Sequence, residues 1–305
     1  METKIPTSCF IISYFGISFF LIFFIFLFFL IPKILSNIKR RSFFWGMAIW
    51  SIAIETIFNL LIIFVYNLFA NSGNNFIKFL HSFAIGMSPP ILEEFGRLIC
   101  FLFLFKSKNF HFNNSIMYGS GHGGFENLVM YATNNIIKLI NLYKINNKSD
   151  ITEITKDKDL NKYYKDYKDG IPIDDYIEII MRLSGLVFHI SAAILVYSFS
   201  LDMKKNIIHF IAAFVFHFLT DFDYNIIMDF NLNKWIQMSI TGIVIILSIY
   251  SYFVWKKNII EANFKLNEDE DDLIEKKGIK MDNLLLNAGY CLNIKYISFI
   301  NNINM

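Results

Sequence analysis

Apolar and polar positions alternate along this chain on the length scale of a lipid bilayer. Seven apolar runs, near Ser8–Ile31, Phe43–Ala70, Phe76–Phe105, Asn113–Ile140, Ile177–Ser200, Asn206–Asp223 and Lys234–Trp255, are each long enough to cross a hydrocarbon core as a helix. The first is too long for a signal-peptide core and has no small-x-small cleavage site, so it reads as a retained helix. Short connections carry Lys33, Lys39, Arg40 and Arg41, then Lys106 and Lys108, then Lys204 and Lys205, then Lys256 and Lys257. Alternate crossings put all of them on one side, which the positive-inside rule makes cytoplasmic. The pattern therefore predicts a multi-pass plasma-membrane protein with its N-terminus outside and its C-terminus in the cytoplasm. Residues 1–257 form the transmembrane domain, 141–176 a polar external insertion with a solvated, partly ordered face, and 258–305 a cytoplasmic tail.

Composition agrees with the pattern. With 305 residues, 55% hydrophobic, 18% aromatic and a mean hydropathy of +0.44, the chain belongs to the all-α polytopic membrane class. A net charge of +2 gives no footprint for nucleic acid, leaving the lipid bilayer and a membrane-associated protein or peptide as expected partners. Oligomeric state is not encoded in any feature of the sequence. Cys9, Cys100 and Cys291 lack CxxC spacing, so they outline neither a disulfide framework nor a zinc ribbon.

The informative positions are those where ionisable residues interrupt the apolar runs. Such residues are costly at membrane depth unless paired or set in a wet cavity. Ser88-Pro89-Pro90-Ile91-Leu92-Glu93-Glu94-Phe95-Gly96-Arg97 places two carboxylates and a guanidinium together, with Arg97 four residues from Glu93 and three from Glu94. Pro89-Pro90 predicts a break, with a fresh helix beginning near Pro90 and both glutamates in its first turn. The fourth run contains Tyr118-Gly119-Ser120-Gly121-His122-Gly123-Gly124-Phe125-Glu126, with His122 and Glu126 on one helical face. Its glycines serve either close helix packing or close approach of a substrate. Arg182 and His189 lie in the fifth run, and His217 and Asp221, four apart, in the sixth. Glu55 and Asn59 in the second run form either an interhelical hydrogen-bond pair or part of a cavity wall.

Depth ties these residues together. Measured from the basic-loop end at about 1.5 Å per residue, Glu93, Glu94, His122, Glu126, His189 and His217 all lie roughly 14 to 20 Å into their runs. Carboxylates and imidazoles at one level can activate water, hold an oxyanion and protonate a leaving amine, which amide hydrolysis requires. They are also ligand types for zinc or another divalent metal, although no HExxH is present.

Taken together these motifs resemble the CAAX-protease-like superfamily of glutamic-type intramembrane proteases, which includes prenyl-protein endopeptidases, PrsW proteases and a scaffold-like subunit of gamma-secretase. The YhfC branch is most similar. Glu93-Glu94-Phe95-Gly96-Arg97 resembles the paired-glutamate motif. Tyr118 with His122, followed by Gly-Gly-Phe-Glu, resembles the aromatic-xxx-His motif. Phe188-His189-Ile190-Ser191-Ala192 and His217 with Asp221 resemble the two later motifs. The resemblance implies that Glu93 activates water while His122 and His217 assist and stabilise the oxyanion. Glu94 and Arg97 hold the site, and Asp221 takes a position often filled by asparagine. Arg97 stands one residue closer to the glutamates than in the prenyl-protein endopeptidases, which favours the YhfC branch over prenylated substrates.

The resulting expectation is a seven-helix endopeptidase whose site opens towards the cytoplasmic half. Its catalytic residues are Glu93, Glu94, His122, His189 and His217, supported by Arg97, Glu126 and Asp221. No cofactor is expected; with a metal-dependent mechanism the ligands would be His122, His189, His217 and Glu93. Two other classes fit the same residues: a non-catalytic scaffold holding a partner helix, and a proton- or ion-coupled transporter.

Overall fold

The computed structural model describes residues 4–35, 38–52, 74–104, 111–148, 151–230 and 242–260, and every regular element among them is helical. The helices are α1 (Thr7–Ile34), α2 (Arg41–Ser51), α3 (Asn75–Ile99, continued by a π-helical turn over Cys100–Leu104), α4 (Asn113–Asn146), α5 (Ile151–Lys156), α6 (Lys158–Tyr167), α7 (Ile173–Leu201), α8 (Ile207–Phe230) and α9 (Gly242–Ile260). Glu55, Asn59 and residues 261–305 of the tail lie outside the described residues.

Among the described helices α1, α7 and α9 are long and apolar enough to cross a membrane on length and composition alone. α3 and α4, which fall short, are diluted by polar residues of interest. Ile11, Phe15, Ile22 and Phe26 of α1 are exposed, as a lipid-facing helix requires, because lipid tails rather than a protein core cover them.

The expected break at Pro89-Pro90 does not occur. One helix runs from Asn75 to Ile99 through both prolines, capped at its start by the Asn74 side chain, which accepts from Phe76 N at 2.8 Å. Neighbouring helices support a proline-interrupted ladder within a membrane bundle. Here Gly86 lets α8 approach so closely that a Cβ at that position would lie 2.7 Å from Phe222 Cα. Glu93 and Glu94 are thus mid-helix residues, and stabilisation by a helix N-terminus does not apply to them.

The glycine-rich run of α4 serves helix packing. Gly121 abuts the Phe43 backbone of α2, and Gly46 of α2 abuts Tyr118 and His122 of α4. On the opposite face Gly119 and Gly123 admit α7 at Ile190, His189 and Leu186. A Cβ at Gly121 would overlap the Phe43 carbonyl, so Gly121→Val should cost more than about 3 kcal/mol through forced helix separation. Gly170→Ala faces open space, although its φ of 128° adds local strain, and should leave the bundle intact. Size-exclusion profiles in detergent compare the two; monodisperse Gly121→Val protein with wild-type thermal stability would contradict the packing role.

The polar insertion is more ordered than its composition suggests. Leu142, Ile145, Ile154, Leu160 and Tyr167 form a small apolar core with Ile5 and Cys9 from the start of the chain. At its edge Lys138 Nζ donates to Asp175 Oδ2 at 2.8 Å and the Tyr167 hydroxyl donates to Asp175 Oδ1 at 2.7 Å, all three residues being buried. Burial first, and then the adjacent Asp175 carboxylate, push the Tyr167 phenol well above its ordinary range. Folding therefore favours the protonated phenol; this stabilisation is complete below the unfolded value of about 10 and is lost as pH rises towards and through the higher folded value. Proteolysis of the 147–172 segment should accelerate above about pH 10 in wild type but not in Tyr167→Phe. Equal pH dependence in the two proteins would exclude Tyr167 as the cause.

Candidate active site

Four helices deliver the ionisable residues to one buried centre. On α3, Glu93, Glu94 and Arg97 face inward while Ile91, Phe95 and Ile99 face outward. α4 contributes His122 and Glu126, α7 contributes His189, and α8 contributes His217 and Asp221. Glu93, Glu94, Arg97, His122, His189 and His217 are all at most 5% exposed.

Glu93 is the point of convergence. Its Oε2 lies 2.8 Å from His122 Nε2, 3.8 Å from His217 Nε2 and 3.9 Å from His189 Nδ1. Glu94 is engaged differently: Arg97 Nη1 donates to both of its carboxylate oxygens, and His217 Nδ1 lies 2.7 Å from Oε1. Since an ion-paired carboxylate only accepts, His217 Nδ1 carries a proton and donates it to Glu94. His217 Nε2 lies between Glu93 and Asp221, whose Oδ2 is 3.4 Å away. Arg97 can only donate, so His189 Nδ1, 3.1 Å from Arg97 Nη2, accepts. Neutral His189 carries its proton on Nε2, beside Glu126 Oε2 at 2.7 Å.

All the residues named as catalytic or supporting from the sequence reach this centre. Glu126, expected in support, directly contacts His189. Sequence reading missed Phe188, a buried ring packed edge-on against His189 and His217 with centroids 5.2 and 4.9 Å away. It holds both imidazoles in place, and its only sequence signal is adjacency to His189.

On the basic-loop side of the centre lie buried Phe101, Phe112, Tyr118 and Tyr197, whose rings pack with centroids 4.9 to 5.2 Å apart. Glu126 and Asp221 are only partly buried, with side chains 22% and 32% exposed. Each lies one turn from its helix's histidine towards the end of the bundle that bears α5 and α6.

The donor set fits a divalent cation. Glu93, His122, Glu126 and His189 offer ligand atoms that all lie within 4.8 Å of one another. His122 Nδ1 is buried without a hydrogen-bond partner among the described residues, as an uncompensated ligand atom would be. Imidazole and carboxylate are zinc ligands. Arg97 occupies the His189 Nδ1 lone pair, so His189 joins a cation through Nδ1 only by releasing Arg97. In this group Glu126 stands where sequence reading placed His217.

Apolar helices around a buried set of carboxylates and imidazoles define an integral membrane protein equipped for hydrolysis. Comparison with protein families makes this specific. The chain belongs to the YhfC intramembrane metalloprotease family, whose model matches residues 17–258 and so spans the whole centre. No curated protein and no solved structure matches it. Membership of a metalloprotease family, with a donor set that fits, leaves the cofactor-free expectation unsupported.

Proposed function

We propose that the chain is an endopeptidase that hydrolyses a peptide bond of a membrane-associated protein or peptide at the Glu93 centre. The observation that carries this is the approach of three imidazoles from three helices to one carboxylate oxygen, Glu93 Oε2. Glu94 is saturated by Arg97 and His217, which leaves Glu93 as the carboxylate able to take a proton from water. As the water oxygen bonds to the scissile carbonyl carbon, its proton passes to Glu93. His122 Nε2, beside Glu93, donates to the developing oxyanion. The proton held by Glu93 then reaches the amide nitrogen, the C–N bond breaks, and a carboxylic acid and an amine result. Glu94 fixes the orientation of His217, and Arg97 that of His189, so neither imidazole has to reorganise during reaction. A divalent metal held by Glu93, His122 and Glu126, with His189 as a further ligand, would polarise the carbonyl and acidify the water.

Cells producing wild type or Glu93→Gln at matched levels test this through the termini of their membrane proteins. New termini near apolar segments should appear only with wild type; identical sets from the two folded proteins would refute hydrolysis. The metal has a separate test. Purified wild type should contain about one zinc or other divalent ion per chain, and His122→Ala should contain much less. Metal-free wild type with full activity would contradict the ligand assignment.

A further inference from the structure

Asn127 is a buried polar side chain that none of these steps uses. It follows Glu126 on α4 and is 3% exposed. Its Nδ2 donates at 2.5 Å to Arg182 O, a carbonyl within α7. A helical carbonyl keeps a second lone pair beside its own helical bond, so the amide grips the α7 backbone itself. Gly185 makes room for this contact: a Cβ there would lie 3.4 Å from Asn127 Oδ1. Arg182 and His189 are seven residues apart in one continuous helix, two turns from each other on the same face. Fixing the carbonyl of the first therefore fixes the axial position of the second.

Glycine contacts at this level leave that axial position open. Gly119 and Gly123 meet Ile190, His189 and Leu186 with bare backbone, which sets how near α4 and α7 come but offers no side chain to resist sliding. The contact that depends on sliding is His189 Nε2 with Glu126 Oε2 at 2.7 Å, which a slip of one residue, about 1.5 Å, would break. Resting on the hydrolytic reading, we propose that Asn127 is a positioning residue that holds α7 in the register setting His189 against Glu126 and beside Glu93.

The test compares Asn127→Leu, which keeps the size of the side chain and removes the donor, with Asn135→Leu. Asn135 is another buried amide of α4, and its Nδ2 donates to Tyr131 O of its own helix. Cleavage is read from Glu93-dependent termini in cells. Register is read from the Nε2–H resonance of His189 in purified protein carrying nitrogen-15 in its histidine rings, assigned by its absence from His189→Gln. Asn127→Leu should lower cleavage roughly 10-fold to 100-fold, the effect of an ångström-scale misplacement, and move the His189 resonance. Its unfolding temperature should stay within about 4 °C of wild type, because one interhelical hydrogen bond adds little stability in a membrane. Asn135→Leu should match wild type in cleavage and resonance. Should Asn127→Leu fail to fold, Asn127→Ser takes its place with the same expectations, its hydroxyl being too short to reach Arg182 O and able to bond within α4. An unchanged resonance or wild-type cleavage in the folded Asn127 variant, or equal changes in Asn135→Leu, would overturn the positioning role and leave hydrolysis standing. Wild type without any Glu93-dependent terminus would remove hydrolysis, and with it the catalytic purpose of Asn127, whatever the resonance shows.

Discussion

Glu93→Gln should lower the cleavage rate by about 100-fold to 10,000-fold, the range that a positioned general base supplies. The amide keeps the shape of the side chain and can still accept from His122 Nε2, which lies 2.8 Å from Glu93 Oε2. It cannot take a proton from water at neutral pH, so loss of rate should not be accompanied by loss of fold. Thermal stability in detergent should stay near wild type or rise, because a carboxylate 2% exposed is costly to keep charged. Glu94→Gln is the informative contrast. Glu94 holds Arg97 and His217, and its substitution should reduce both stability and rate. Full turnover by Glu93→Gln would transfer the base to another residue.

Arg97→Met should have the largest effect on stability. Arg97 is completely buried and binds the Glu94 carboxylate and His189 Nδ1 together. Removal leaves Glu94 buried with its charge only partly compensated by His217, a situation that costs roughly 3 to 5 kcal/mol. Glu94→Gln combined with Arg97→Met removes both charges and should restore much of the loss, since replacing a buried pair entirely is close to neutral. Thermal unfolding of the two single variants and the double variant forms a cycle that reads the coupling directly. A double variant as unstable as the sum of the singles would show that the pair is not coupled.

Much of the fold is legible in the sequence because the bilayer imposes a simple rule. Apolar runs must span, and ionisable residues inside them must converge, so Glu93, His122, His189 and His217 could be grouped by depth before any contact was known. The failures have physical causes. Pro89-Pro90 read as a break because local chemistry forbids proline in an isolated helix, whereas packing of Gly86 against Phe222 supports the continuous helix. The insertion read as a partly ordered solvated face because its apolar residues are few, yet Ile154, Leu160 and Tyr167 find a core with Ile5 and Cys9 from the far end of the chain. The contacts of Tyr197 with Phe101 and Phe112 are likewise invisible to one-dimensional spacing. Glu126 could be placed on the His122 face, but its contact with His189 depends on how α4 and α7 cross.

The central claim is that water is added across a peptide bond at Glu93, and isotope incorporation tests it most directly. Membranes containing wild type or Glu93→Gln are incubated in water enriched in oxygen-18, and the C-terminal peptides of newly formed fragments are weighed. Wild type should yield new C-termini carrying one oxygen-18 each, absent from the Glu93→Gln membranes. Labelled termini of equal abundance in both, or new wild-type termini without the label, would contradict hydrolysis at this centre.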